Sequence, residues 1–93
     1  MTEEDIKMWK EALGQQMRLE RKSKGMTQKE VAPLVGLSQK TVSQIEKGEN
    51  PTIDNYIKYC ETLGSDFAVI AARARVVIRA RTIGDDYLDG LTG

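Results

Sequence analysis

A chain of 93 residues, 40% of them hydrophobic, makes one domain, large enough for a modest core and small enough to gain from a dimer interface. Fourteen Lys and Arg balance fourteen Asp and Glu; there is no histidine, and the single cysteine, Cys60, allows no intramolecular disulfide. That inventory leaves no material for a histidine-based catalytic centre or a metal site, so neither enzymatic activity nor a cofactor is expected. No apolar run is long enough to span a membrane and the N-terminus is acidic rather than signal-like, so a cytoplasmic protein with no membrane partner is expected.

The first predicted helix runs from about residue 3 to 23. Thr2 followed by Asp5 is an opening cap, and Ile6, Trp9, Leu13, Met17 and Glu20 or Arg21 recur at helical spacing. Trp9 reads as a core or dimer-seam residue rather than a stacking platform for bases. Ser23 to Met26 form the connection, with Gly25 as the helix terminator.

A second helix opens at Thr27, because Thr27 with Glu30 three residues later is a capping box. Val31, Ala32, Leu34 and Val35 supply its apolar face. Pro33 lies beyond the first turn, where it removes a backbone hydrogen bond and crowds the Lys29 carbonyl, so a kink or an opened turn is expected there. Gly36 ends the helix as a residue that tolerates a left-handed backbone. Leu37 plugs the space between helices, and Ser38 caps a third helix. Val42 and Ile45 fall on its inward face, leaving Gln39, Lys40, Ser43, Gln44 and Lys47 outward, and Gly48 stops it.

That outward face is amide, hydroxyl and ammonium. Gln pairs bidentately with adenine N6 and N7, Lys reaches guanine O6 and N7, and Ser contacts bases or phosphates. Composition alone would equally describe a solvated polar face.

Charge layout adds to the case for nucleic acid. From Gly14 to Gly48 seven Lys or Arg stand against three Glu, while residues 1–13 and 49–66 are net acidic. A basic face with acidic flanks binds phosphate while limiting unspecific affinity. After the turn at Glu49 to Pro51, Thr52 caps a fourth helix whose inner face is read as Ile53, Tyr56, Ile57, Cys60 and Leu63, with Gly64 at its end.

Residues 13 to 63 resemble the Cro and phage-repressor-like helix-turn-helix domain, the XRE type. The landmarks are the Thr27-Gln28 opening, Glu30 then Ala32, Gly36, the close Ile45-Glu46-Lys47-Gly48, and Asn50-Pro51. The resemblance implies a mainly α, lambda-repressor-like domain that binds double-stranded DNA. It implies base contacts from Ser38, Gln39, Lys40, Ser43 and Gln44 at and beyond the start of the recognition helix. It implies phosphate contacts from Gln28, Lys29, Lys47, Asn50 and Thr52, with Gln28 also buttressing Gln39. A structural ion pair between Arg21 and Glu46 is implied as well.

Beyond Ser65 the pattern stops. Arg73, Arg75, Arg79 and Arg81 occupy odd positions while Ala72, Ala74, Val76, Ile78 and Ala80 occupy even ones, an alternation that puts the arginines on one face of a strand. Residues 67–82 are therefore predicted as one long strand or two short ones meeting near Ala71 to Arg73. A lone strand leaves unpaired edges, and pairing with a second subunit would cure this. Phe67, Val69, Val76 and Ile78 are the dimerisation candidates on that reading. The arginine face would meet phosphate, an acidic partner or water, and the tail from Ile83 with Asp85, Asp86 and Asp89 is either a partner-binding segment or a frayed terminus.

The sequence thus predicts a helix-turn-helix unit with an N-terminal helical extension over residues 1–64 and a C-terminal β and dimerisation segment over 65–93. The expected function is a homodimeric, sequence-specific transcriptional regulator, a repressor, on a pseudo-palindromic operator. The alternative, favoured by the arginine strand and the acidic tail, is an antitoxin that binds a toxin protein through its C-terminal segment and autoregulates its operon; the shared strand is similar to the β-lid of some helix-turn-helix antitoxins.

Overall fold

The computed structural model describes residues 1–49 and 52–92, with side chains described as far as Gly84. Five helices follow in order: α1 (Glu3–Ser23), α2 (Gln28–Val35), α3 (Gln39–Lys47), α4 (Ile53–Thr62) and α5 (Phe67–Thr92). Each of the first four starts where a hydroxyl can cap it. Thr2 and Thr27 form reciprocal capping boxes with Asp5 and Glu30, while the Ser38 and Thr52 hydroxyls accept the Thr41 and Asn55 N–H groups at 3.1 Å. None of the helices among the described residues is long and apolar enough to cross a membrane.

Between α2 and α3 the chain reverses on Gly36, whose φ of 80° is the left-handed conformation an L side chain resists. The Leu37 N–H then donates to the Ala32 carbonyl at 3.0 Å, and the Leu37 side chain packs partly buried against the core. α2 runs through Pro33 without interruption, and the ring is exposed. An eight-residue helix needs few internal hydrogen bonds, so the one that proline removes does not break it.

One core serves all five helices. It is built from Ala12, Leu13 and Met17 of α1, Val31, Ala32 and Val35 of α2, and Val42 and Ile45 of α3, with Tyr56, Tyr59 and Cys60 of α4, Leu63 at that helix's end, and Ile70 and Ala74 of α5. α1 packs against α3 and α5, α2 against α3 and α4, and α4 against α5. Tyr56 stacks on Phe67 with ring centroids 5.8 Å apart, which fastens the start of α5 to α4.

Three sequence expectations are corrected. The stretch 67–82 is helical, and no strand occurs among the described residues. Alanine and arginine are strong helix formers, and a lone strand would have had no partner for its edges. The core face of α5 has helical period: Phe67, Ile70, Ala71, Ala74 and Ile78. The shared sheet between subunits therefore falls away, and with it the strand on which Phe67, Val69, Val76 and Ile78 were grouped. Phe67 and Ile78 pack on the chain's own core, whereas Val69 and Val76 are exposed. On α4 the inner stripe is Tyr56, Tyr59, Cys60 and Leu63, and Ile53 and Ile57 are exposed. On α2, Leu34 likewise faces solvent.

Candidate nucleic-acid interface

α3 is amphipathic in the simplest sense. Val42, Ile45 and Glu46 are buried, while Gln39, Lys40 and Lys47 are exposed and Ser43 and Gln44 half-buried. At about 100° per residue the five outward positions share an arc of roughly 140°. The Ser38 hydroxyl sits at the head of this face and also contacts the Thr41 hydroxyl at 2.9 Å.

The mount of α3 is unusually close. At Gly14 of α1 an added methyl would lie 2.6 Å from the Glu46 carbonyl oxygen and nearer still to that of Ile45. At Gly48, which ends α3, it would lie 2.7 Å from the Glu11 nitrogen. Backbone therefore rests on backbone at both places. No sequence signal marked Gly14, because its role is set by carbonyls some thirty residues away in the chain.

Beneath the outward face lies a buried ionic knot. Arg21 donates to both Glu46 carboxylate oxygens, Nε to Oε2 at 2.7 Å and Nη2 to Oε1 at 2.9 Å, and Nη1 donates to the Met26 carbonyl at 2.7 Å. The Tyr59 hydroxyl donates to Glu46 Oε2, and Gln28 Nε2 donates to Oε1 at 3.1 Å. Burial alone would raise the Glu46 carboxyl, but the hydrogen bonds from Arg21, Tyr59 and Gln28 outweigh it and hold the group below the usual carboxylate range. The Arg21 guanidinium is pushed up by the same carboxylate. Tyr59, absent from the sequence reading of α4, is thus a member of the knot; its burial needed a hydroxyl partner that only the fold supplies.

Above the knot a groove is lined by Arg18, Arg21, Gln28, Ser43, Glu46 and Lys47. Among the described residues there are two ion pairs, Arg21–Glu46 and Arg73–Glu20, so Arg18, Lys29, Lys40 and Lys47 engage no carboxylate. The one acid in the groove is neutralised, and the rest of its lining is cations and neutral hydrogen-bonding groups. Arg18, which sequence reasoning counted only toward net charge, stands beside Gln28, Ser43 and Lys47.

Other predicted positions fall as follows. Gln28 is half-buried with its amide on Glu46; Lys29 is exposed on α2; and exposed Thr52 uses its hydroxyl oxygen as the α4 cap. Asn50 lies outside the described residues.

Comparison with known proteins agrees with this geometry. The helix-turn-helix family model HTH_3 matches residues 17–70. The fold is similar to the crystal structure of the clp gene regulator ClgR from Corynebacterium glutamicum. The TM-score is 0.80 at 26% identity, over 89% of this chain and 89% of that one. A comparison with curated proteins returns no match.

Proposed function

Because the chain belongs to the helix-turn-helix family, its match spanning residues 17–70, we propose that it is a sequence-specific DNA-binding transcriptional regulator. One observation carries the reading. The outward face of α3 presents Gln39, Lys40, Ser43, Gln44 and Lys47 with no acid among them, while the nearby carboxylate, Glu46, is bound by Arg21. Likeness to a gene regulator supports it.

On this reading Ser38, Gln39, Lys40, Ser43 and Gln44 read base edges in the major groove. Gln28, Lys29, Lys47, Asn50 and Thr52 hold register on phosphates, and Arg18 joins them from the groove. Residues 1–64 form the reading unit, and residues 65–93 bring two copies together. A homodimer would place two recognition helices about 34 Å apart, one helical turn, on a pseudo-palindromic operator. Occupying a promoter in this way needs no further surface, which favours repression. The antitoxin alternative drew on an arginine strand and an acidic tail; α5 removes the strand, and the side chains of the tail from residue 85 on lie outside those described.

Selection of bound sequences from a random duplex pool, at near-physiological salt because affinity depends steeply on it, tests the proposal. An enriched palindrome with half-sites one turn apart is expected. A pool that gains no sequence preference rejects it.

A further inference from the structure

The first turns of α1 and the start of α4 share an apolar pocket of about 310 Å³, lined by Met1, Ile6, Trp9, Lys10, Leu13 and Tyr56. Ligand sites occupy roughly 300–1,000 Å³, so this one suits a small molecule. Ile6, Trp9, Lys10 and Leu13 follow one another at helical spacing, and a single stripe of α1 therefore supplies most of the wall. Tyr56 completes it from α4. Its ring stacks on Phe67 and the residue is only 6% exposed. Its hydroxyl is nevertheless the one buried side-chain polar atom among the described residues with no hydrogen-bond partner. Burial alone pushes that hydroxyl up to about 12, with no neighbouring group contributing. Phenylalanine would fill the same space without the cost of an unmade hydrogen bond.

The polar side-chain groups on this lining can all donate: the Lys10 ammonium, the Trp9 indole N–H and the Tyr56 hydroxyl, with no carboxylate or amide beside them. Lys10 is half-buried and pairs with no acid among the described residues. Three and four residues away along α1 it meets Lys7, Ile6, Leu13 and Gly14, none of which is an acid either. From these groups we infer a binding site for a small amphipathic acid. Its hydrocarbon part lies against Ile6, Trp9 and Leu13, and its carboxylate accepts from the Lys10 ammonium and the Tyr56 hydroxyl. Such a charge-assisted bond supplies the acceptor that the hydroxyl lacks. A cationic amphiphile would meet like charge at Lys10, and a neutral one would leave the ammonium without a counter-ion. Ile6 and Lys10 also line the neighbouring groove, which holds Glu3 and Lys7 and reaches Gly48, so the occupant sits beside the mount of α3. The site does not depend on whether the chain binds DNA.

Trp9 is the only tryptophan in the chain, so its emission reports on this pocket directly. Octanoate is the probe, titrated into the full chain without DNA, with octanol and octylammonium in parallel. A saturable change with a Kd below about 1 mM is expected for octanoate, and binding at least about tenfold weaker for the other two. Tyr56→Phe keeps the ring on Phe67 and removes the hydroxyl. It should melt no lower than the parent and bind octanoate about tenfold more weakly. Lys10→Met should weaken octanoate by a similar factor and remove its advantage over octanol. No saturable change with octanoate, equal binding of the three probes, or a Tyr56→Phe chain that binds octanoate as tightly as the parent overturns the inference. So does a Tyr56→Phe chain that melts below the parent, since the hydroxyl would then already have a partner within the fold. The DNA reading fails separately: the titration contains no duplex, and a pool that enriches no palindrome leaves octanoate binding untouched.

Discussion

At the scale of single residues, Glu46 is the side chain on which most depends. It accepts from Arg21 twice, from Tyr59 and from Gln28, and so ties α1, α2 and α4 to the inner face of α3. Glu46→Gln leaves the Arg21 guanidinium buried without an anion, and a loss of about 3–5 kcal/mol in urea unfolding at pH 7 is expected. The pH dependence has a definite sign. A carboxyl held below its ordinary value contributes stability that is present above that value and is lost as pH falls through the folded one. The parent should therefore lose stability on acidification below about pH 4.3 more steeply than the variant. On the outward face, Gln39→Ala should cost about 1–3 kcal/mol on the selected site and relax preference at one base pair, whereas Lys47→Ala should weaken all duplexes alike and flatten the salt slope by about one. Binding assays against single-base operator variants over a salt series separate the two. The Arg21–Glu46 pair was legible through resemblance to a family. Tyr59 was not, because nothing in its sequence neighbourhood says where its hydroxyl must go.

Among elements, the seam between α1 and α3 is set by the absence of side chains. Gly14→Ala would press a methyl into the Ile45 and Glu46 carbonyls, which are helix backbone and cannot swing aside. A destabilisation of about 1–3 kcal/mol is expected from such overpacking. Because α3 would be displaced with it, operator affinity should fall even under conditions where the variant is folded. Calorimetric melting and binding at 10 °C check the two halves of that statement. The element boundaries themselves were readable from Thr2, Thr27, Ser38 and Thr52, since a hydroxyl ahead of an apolar period has a local physical meaning. α5 was misread for a related reason. Arg73, Arg75, Arg79 and Arg81 alternate, but those positions are mostly exposed, and the residues that fix the period are Ile70, Ala74 and Ile78 on the buried side.

For the molecule as a whole, the core contains acids that must stay protonated. Burial pushes the Cys60 thiol up to about 11, helped by Glu20 and Asp66, and pushes Tyr56 up to about 12. Tyr59 is raised by burial and then by its bond to Glu46. Groups raised in this way contribute stability that is complete below their ordinary values and declines as pH climbs through the folded ones. Thermal midpoints should therefore hold to about pH 8.5 and fall progressively from there through pH 12, with Cys60→Ala removing the earliest part of the decline. A flat melting temperature up to pH 11 would show that these groups ionise without unfolding the chain.

The way α3 is fastened bears on how such a protein changes over time. Its hold on the fold comes from Val42, Ile45 and Glu46 and from backbone resting at Gly14 and Gly48, and none of its outward side chains belongs to the core. Gln39, Lys40 and Lys47 are consequently open to exchange at little cost in stability, as surface substitutions generally are. A lineage could therefore rewrite what the helix recognises one residue at a time while the scaffold that presents it stays the same.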